Sequence, residues 1–301
     1  MNKHTPPYAT TFHSRITNGL DVATSLSFAS DFLREQTAMP SAQVPLTIGN
    51  GRVLAEAVEL PFVGKIDDDA QDCENAAFRS VLSHALPSAL SAQVCENREA
   101  GETSALPPDT ILTPLKIGLL AAMGMSSVWV RRKLPVAVMS LGTDLIDPGT
   151  KRQRGQSFDT VRPMLMSALN LPWISANDLG IIGDDRRLLR LVLEAAATKN
   201  RVILANGIND ENDAAALKDT VMDLGGIILV NSVTIAPGQS SFLATVGASL
   251  ILTMPANSVG AWNVFTVLCN EIIRAAAHLS GEGTHAKDTM FQNAENFSAA
   301  L

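Results

Sequence analysis

The chain of 301 residues is long enough for two domains, and 46% hydrophobic with 18% charged residues is the balance of an ordinary globular protein. Aromatic residues make up only 5%, so aliphatic side chains must fill the core. A formal net charge of −7 excludes the broad basic face that nucleic acid or an anionic membrane surface requires, so neither is expected as a partner.

Residues 1–19 are polar, carry Pro6-Pro7 and contain no apolar segment of the kind a secretory signal needs, so they read as a flexible tail. Asp21 to Gln36 places Val22, Leu26, Ala29, Phe32 and Leu33 at helical spacing. Val44 to Leu60 turns at Gly49-Asn50-Gly51. Residues 61–110 are irregular, with a solvated acidic run at Asp67 to Asp69. Thr113-Pro114 opens a helix that Gly124 ends, with proline in the first turn where it is tolerated.

From about Arg131 short apolar runs alternate with helical patterns. Strands are expected at Leu134 to Ser140, Arg201 to Ala205, Gly226 to Val230 and Leu250 to Met254. Helices are expected at Thr160 to Leu171, Asp184 to Thr198 (with two acids in its first turn), Asn212 to Leu224 and Ser258 to Leu279. Apolar strands separated by helices indicate an α/β fold, a mostly parallel sheet covered by helices on both faces. The stretch from Phe242 to Leu268 is broken by Gly247, Pro255, Asn257, Ser258 and Gly260, so it is two buried elements and no membrane span. The domain layout expected is a tail at 1–19, a smaller N-terminal α+β domain at 20–130, the α/β domain at 131–279 and a polar tail at 280–301. Cys73, Cys95 and Cys269 lack C-x-x-C or metal-ligand spacing and read as free thiols of a reducing cytoplasm. No histidine has a second ligand at metal spacing, and Ser140 lacks the G-x-S-x-G setting of a nucleophile.

In sheets of this kind ligands bind at the carboxyl ends of the strands. The turns there are Leu141-Gly142-Thr143-Asp144, Asn206-Gly207-Ile208-Asn209-Asp210, Ala236-Pro237-Gly238-Gln239 and Pro255-Ala256-Asn257-Ser258. All four carry Gly, Asn, Asp or Pro, as expected if they meet at one shared site, although every strand end needs such residues to turn.

These segments resemble, in order and spacing, the signatures of the molybdopterin molybdenumtransferase family, which includes the C-terminal domain of gephyrin. VPLTIGNGRVLAEAV is similar to the family's V-P-L-x-x-A-x-G-R-x-L-A-E-D-V. DDDAQDCENA, residues 67–76, resembles D-N-S-A-M-D-G-Y-A and places Asp72 on its aspartate. ILTPLKIGLLAAMGMSSVWVRRKLPVAVMSLGTDLIDPG, residues 111–149, is the most specific block, and RGQSFDT and GIIGDD resemble two further loops. The resemblance implies a molybdopterin-binding-type α/β domain, a dimer formed through the N-terminal half, and a pocket for adenylylated molybdopterin and molybdate with Mg²⁺. On that basis Asp144, Asp72 and Asp184 are the candidate catalytic residues, with Asp144 and Asp184 as metal ligands. Gly142, Gly207, Asn209, Asp213, Pro237, Gly238 and Asn257 are the candidate cofactor-binding residues. The family's inserted domain and C-terminal barrel have no counterpart of sufficient length in the 301 residues.

The loops also depart from the family pattern. S-T-G-D-E-L reads Ser140-Leu141-Gly142-Thr143-Asp144-Leu145, with a carboxylate one methylene shorter. S-G-G-V-S-x-G reads Ala205 to Glu211 and exchanges two glycines for Asn206 and Glu211. K-P-G-K-P reads Ala236 to Ser240, without either lysine. Two readings follow: molybdate insertion into adenylylated molybdopterin with weakened chemistry, or a non-catalytic pterin- or nucleotide-binding relative, or dimeric scaffold, that serves other cofactor-assembly proteins.

Overall fold

The computed structural model describes residues 22–35, 39–59, 105–208, 211–236 and 239–279. By its contacts the chain divides into two compact units, one within Met1–Ala38 and Leu134–Ala277, the other within Met39–Lys133 and His278–Leu301. Helix α1, Val22–Glu35, which chain order grouped with residues 20–130, belongs to the first unit and buries Ala29, Phe32 and Leu33.

The second unit holds strand β1, Ser41–Pro45, a 3₁₀ turn at Leu46–Ile48, and the short antiparallel pair β2, Val58–Glu59, and β3, Ala105–Leu106. Helix α2, Pro114–Ala122, starts where the sequence places it. Pro114 opens the helix, and the Thr113 hydroxyl accepts the Lys116 N–H at 3.3 Å. Strand β4, Ser127–Arg131, pairs antiparallel with β1 and was not anticipated, because SVWVR is short and half exposed. Val44, Leu46, Leu54, Leu106, Leu112, Leu119, Leu120, Val128 and Val130 form its core. Each large aliphatic side chain buried there contributes about 1.5–3 kcal/mol of transfer energy. Asp109 takes φ 66°, a left-handed conformation held on both sides by its N–H to the Leu54 carbonyl and by an ion pair to Arg131.

The first unit is built on a six-stranded mixed sheet. Its chain-order elements are β5 (Leu134–Leu141), β6 (Leu145–Ile146), β7 (Ser157–Phe158), α3 (Val161–Ala168), β8 (Ile174–Ile182) and α4 (Arg186–Lys199). Then follow β9 (Val202–Asn206), α5 (Glu211–Asp223), β10 (Ile227–Ala236), β11 (Gln239–Val246) and β12 (Ser249–Met254). Helix α6 (Ser258–Val264), a π turn at Phe265–Cys269 and helix α7 (Asn270–Ala276) close the unit, where the sequence suggests one uninterrupted helix to Leu279. The sheet order is β10-β11-β12-β9-β5-β8. β12, β9, β5 and β8 pair in parallel, and the expected parallel sheet is extended by the antiparallel hairpin β10–β11 at one edge. The Gly226 to Val230 run is therefore only the start of a strand reaching Ala236, and the next element in the chain is the antiparallel partner strand β11 rather than a helix.

Helices α4 and α5 cover one face, where Leu189, Leu193, Leu217 and Val221 meet Ala137, Met139, Ile203, Ala205, Phe242, Ala244 and Ile251. The chain moves outward from β5 to β8 through α3 and back across to β9 through α4. Right-handed crossovers therefore put α3 and α4 on opposite faces. The alternate strand residues Val136, Val138, Val202 and Leu204, also fully buried, face the α3 side. Antiparallel twice over, β10 runs in the direction of β12, so all the strand ends singled out above lie at one edge of the sheet.

Candidate functional site

At that edge, on the α4–α5 face, opens a cavity of about 300 Å³, at the small end of ordinary small-molecule sites. Its lining comes from the turn after β5 (Leu141, Gly142, Thr143, Asp144), the turn after β8 (Ile182, Gly183, Asp184), the end of β9 (Gly207) and the facing helices (Arg186, Leu189, Ala216, Leu217). Three strand ends thus converge where the sheet topology brings β8, β5 and β9 side by side.

Four of the expected residues, Gly142, Asp144, Asp184 and Gly207, line this one cavity. Gly207 has φ +101°, and a Cβ there would sit 2.0 Å from the Leu141 carbonyl oxygen, so only glycine allows β9 to end against the β5 turn. Asn257 is not among the residues lining this cavity. Its side-chain oxygen accepts the Gly260 N–H at 2.6 Å and caps α6. That helix lies beside α3, whose Thr160 hydroxyl is 2.6 Å from Ser258, so the β12 turn feeds the opposite face. Asp213 falls within α5. Asp72, Asn209, Pro237 and Gly238 lie outside the described residues.

The acids at the start of α4 have separate places. Asp185 is the N-cap, accepting the Arg187 and Leu188 N–H groups at 2.9 and 3.1 Å, and the helix begins after it at Arg186, so its first turn carries no acid. Asp184, one residue earlier, faces the cavity. Arg186 lines the cavity too, and its Nη2 donates to Asp219 Oδ2 of α5 at 2.7 Å. Among the described residues no group of three or more His, Cys, Asp or Glu side chains gathers to hold a metal ion.

Beneath the sheet edge on the α3 side lies a polar network that sequence reading left unassigned. Ser140, fully buried, donates its hydroxyl to Asp159 Oδ2 at 2.6 Å, and Asn206 Nδ2 donates to the Ser140 oxygen at 3.0 Å and the Met139 carbonyl at 3.1 Å. Asp159, 1% exposed, also accepts the Arg162 backbone N–H and Nε, while the guanidinium of Arg162 reaches Asp178 and Asp147. Burial opposes the charge on Arg162, but the hydrogen bond to Asp159 and the fields of Asp178, Asp159 and Asp147 outweigh it and hold its pKa above the usual arginine value. One cation thereby ties together Asp159 just before α3, strand β8 and the excursion between β6 and β7 that returns to the cavity turn. The signal available in the sequence was Asp159 itself, the acid of the RGQSFDT segment. The Ser140 hydroxyl is committed to Asp159, in keeping with the absence of a nucleophile motif around it.

No family model matches the chain. Molybdopterin molybdenumtransferase 2 of Mycobacterium tuberculosis is 29% identical over 185 residues, 60% of this chain and 46% of that protein. Molybdopterin molybdenumtransferase of Haemophilus influenzae is 27% identical over 180 residues, 60% of this chain and 44% of that protein. The chain therefore spans about half the length of the curated relatives it matches. Among solved structures, the molybdopterin biosynthesis MoeA protein of Pyrococcus horikosii superposes with a TM-score of 0.65, covering 88% of this chain and 82% of that one at 18% identity. A molybdenum cofactor biosynthesis protein of Pyrococcus furiosus gives a TM-score of 0.54 at 19% identity, over 89% of this chain and 74% of that one. At those identities the structural likeness bears on the fold alone. By sequence the chain is similar to the molybdopterin molybdenumtransferases, and by fold to the MoeA protein of Pyrococcus horikosii.

Proposed function

We propose that the chain works in molybdenum-cofactor assembly, binding adenylylated molybdopterin in the cavity at the β5–β8–β9 edge and presenting it for molybdate insertion. The observation that supports this most is the convergence of Gly142, Asp144, Asp184 and Gly207, drawn from separate family-like segments, on one cavity. Asp144 and Asp184 are its reactive carboxylates. The Gly142 and Gly207 turns give the ligand close access to backbone. Among the described residues no third His, Cys, Asp or Glu side chain joins this pair in a metal-sized group, and two carboxylates fit Mg²⁺ in the mode where phosphate and water oxygens complete the shell. Asp144 and Asp184 would hold such an ion, and it would supply positive charge to offset the two acids. Asp72, Asn209, Asp213, Pro237 and Gly238 remain proposed contributors on the strength of the resemblance, whereas Asn257 is better explained as a helix cap.

Calorimetric titration with adenylylated molybdopterin tests the reading. Saturable binding is expected, tighter with Mg²⁺ than without, and no heat in either condition would sink it. Complementation of a strain lacking its own transferase separates the two versions. Restored molybdoenzyme activity identifies an inserting enzyme, and binding without restoration identifies a non-catalytic carrier or scaffold for other assembly proteins.

The same reading makes the protein a cytoplasmic homodimer assembled through the N-terminal half. No helix among the described residues is long and apolar enough to cross a membrane. Light scattering is expected to give twice the chain mass, and a monomeric mass would contradict the dimer.

A further inference from the structure

The cavity's charged lining is uneven: Asp144 and Asp184 come from the strand-end turns, and Arg186, at the start of α4, is the basic side chain among the described lining residues. The first-turn N–H groups of Arg187 and Leu188 are already taken by the Asp185 cap, so they are not the donors that meet an incoming anion. The guanidinium is differently placed. Its partner Asp219 sits on α5, and both side chains are more than half exposed, at 58% and 57%. Exposed pairs of this kind contribute little to stability, and Asp219, once released, regains water instead of being left bare in an apolar interior.

From this we infer that Arg186 is the oxyanion-binding residue of the cavity and that Asp219 is a resident counter-ion, which it gives up when a tetrahedral anion enters. The inference rests on the reading that the cavity takes a pterin phosphate, and it adds an orientation. The phosphate end lies against Arg186, where a planar fork of donors matches oxyanion geometry. The amino and ring N–H donors of the pterin point toward the carboxylates of Asp144 and Asp184. Anionic charge on the acidic wall would meet two like charges, which fixes the direction of entry.

The test uses the full chain and two tetrahedral dianions, inorganic phosphate and molybdate, titrated calorimetrically against wild type, Arg186→Gln, Asp219→Asn and the double variant. Folding of each is checked by its thermal unfolding midpoint. Arg186→Gln is expected to weaken binding by about tenfold or more, as loss of a charge-assisted bidentate contact does. Asp219→Asn is expected to tighten it by about two- to fivefold, the share of a surface ion pair no longer competing. With Gln at position 186, Asp219→Asn should have no effect. A preference for phosphate supports the stated orientation, whereas a preference for molybdate overturns that orientation and assigns the subsite to the metal oxyanion.

Three results would overturn the inference: no oxyanion binding by wild type, weaker binding in Asp219→Asn, or the same gain from Asp219→Asn with Gln at 186. The second would make the pair a mere staple between α4 and α5, and the third would make the gain a matter of bulk charge. Failure here is distinguishable from failure of the functional reading. Adenylylated molybdopterin binding that Arg186→Gln leaves untouched would sink this inference alone. Oxyanion binding governed by Arg186 in a chain that ignores molybdopterin would sink the other alone.

Discussion

Gly207 follows β9 directly and lines the cavity, at a position where an added Cβ would run into the carbonyl of Leu141. Gly207→Ala would demand a left-handed alanine and a Cβ 2.0 Å from a backbone oxygen, so the two strand ends would have to separate. A loss of about 3 kcal/mol or more in unfolding free energy is expected, near the upper end of overpacking costs, and denaturant titration by circular dichroism measures it. A change below about 1 kcal/mol would mean that the strand end tolerates a conformation its glycine was thought to require. This residue was legible in the sequence, because an Asn-Gly pair directly after an apolar run is a strong turn signal. Arg186 was not. It follows two acids at a helix start, where capping accounts for charge so well that the next residue attracts no attention, and its partner lies 33 positions away.

At the scale of elements, the cavity turn after β5 is held by its return path. β6 and β7 pair in parallel over two residues, the Ser157 N–H donates to the Asp144 carbonyl at 2.8 Å, and Arg162 binds Asp147 and Asp159 on either side of the excursion. Removing the guanidinium leaves Asp159 buried and charged without its cation. Arg162→Met is therefore expected to cost about 3–5 kcal/mol, the range for breaking one side of a buried pair. Adding Asp159→Asn to it should return part of that loss, since the stranded charge disappears, and chemical denaturation of both variants checks the order. If the double variant were less stable than Arg162→Met, the network would be held by Ser140 and Asn206 and not by charge.

The elements that escaped the sequence share a cause. Ile174–Ile182 (ISANDLGII) has neither alternation nor a continuous apolar run, because as the outermost strand it is covered on one side only by β5. Gln239–Val246 begins with three polar residues, of which Ser241 is buried, and its apolar run is correspondingly short. Strands buried on both faces, Leu134–Leu141, Val202–Asn206 and Ser249–Met254, were read almost to the residue. Long amphipathic helices were equally plain, whereas the π turn at Phe265–Cys269 alters the winding without altering the apolar pattern that signals a helix.

Over the whole molecule, topology decided which turns share a site. Composition and the alternation of runs implied the α/β class and the active edge, but the order β10-β11-β12-β9-β5-β8 assigns the β12 turn to one face and the β5, β8 and β9 turns to the other. Strand order depends on pairing between distant segments, which no local pattern encodes.

The global charge adds a kinetic consequence. A chain of net charge −7, with Asp144 and Asp184 at the cavity, repels an anionic ligand at long range even if Arg186 holds it at contact. The long-range and contact terms respond differently to salt. At about 10 mM the Debye length is roughly 30 Å, so the ligand approaches against the field of the whole molecule; at about 150 mM it is near 8 Å and most of that field is screened. The association rate for adenylylated molybdopterin is therefore expected to rise with added monovalent salt, while the dissociation rate also rises as the Arg186 contact weakens. Stopped-flow mixing at several salt concentrations separates the two. A falling association rate would reveal a positive funnel that the charge balance of this chain does not provide, and would place ligand entry on some surface other than the acidic mouth of the β5–β8–β9 cavity.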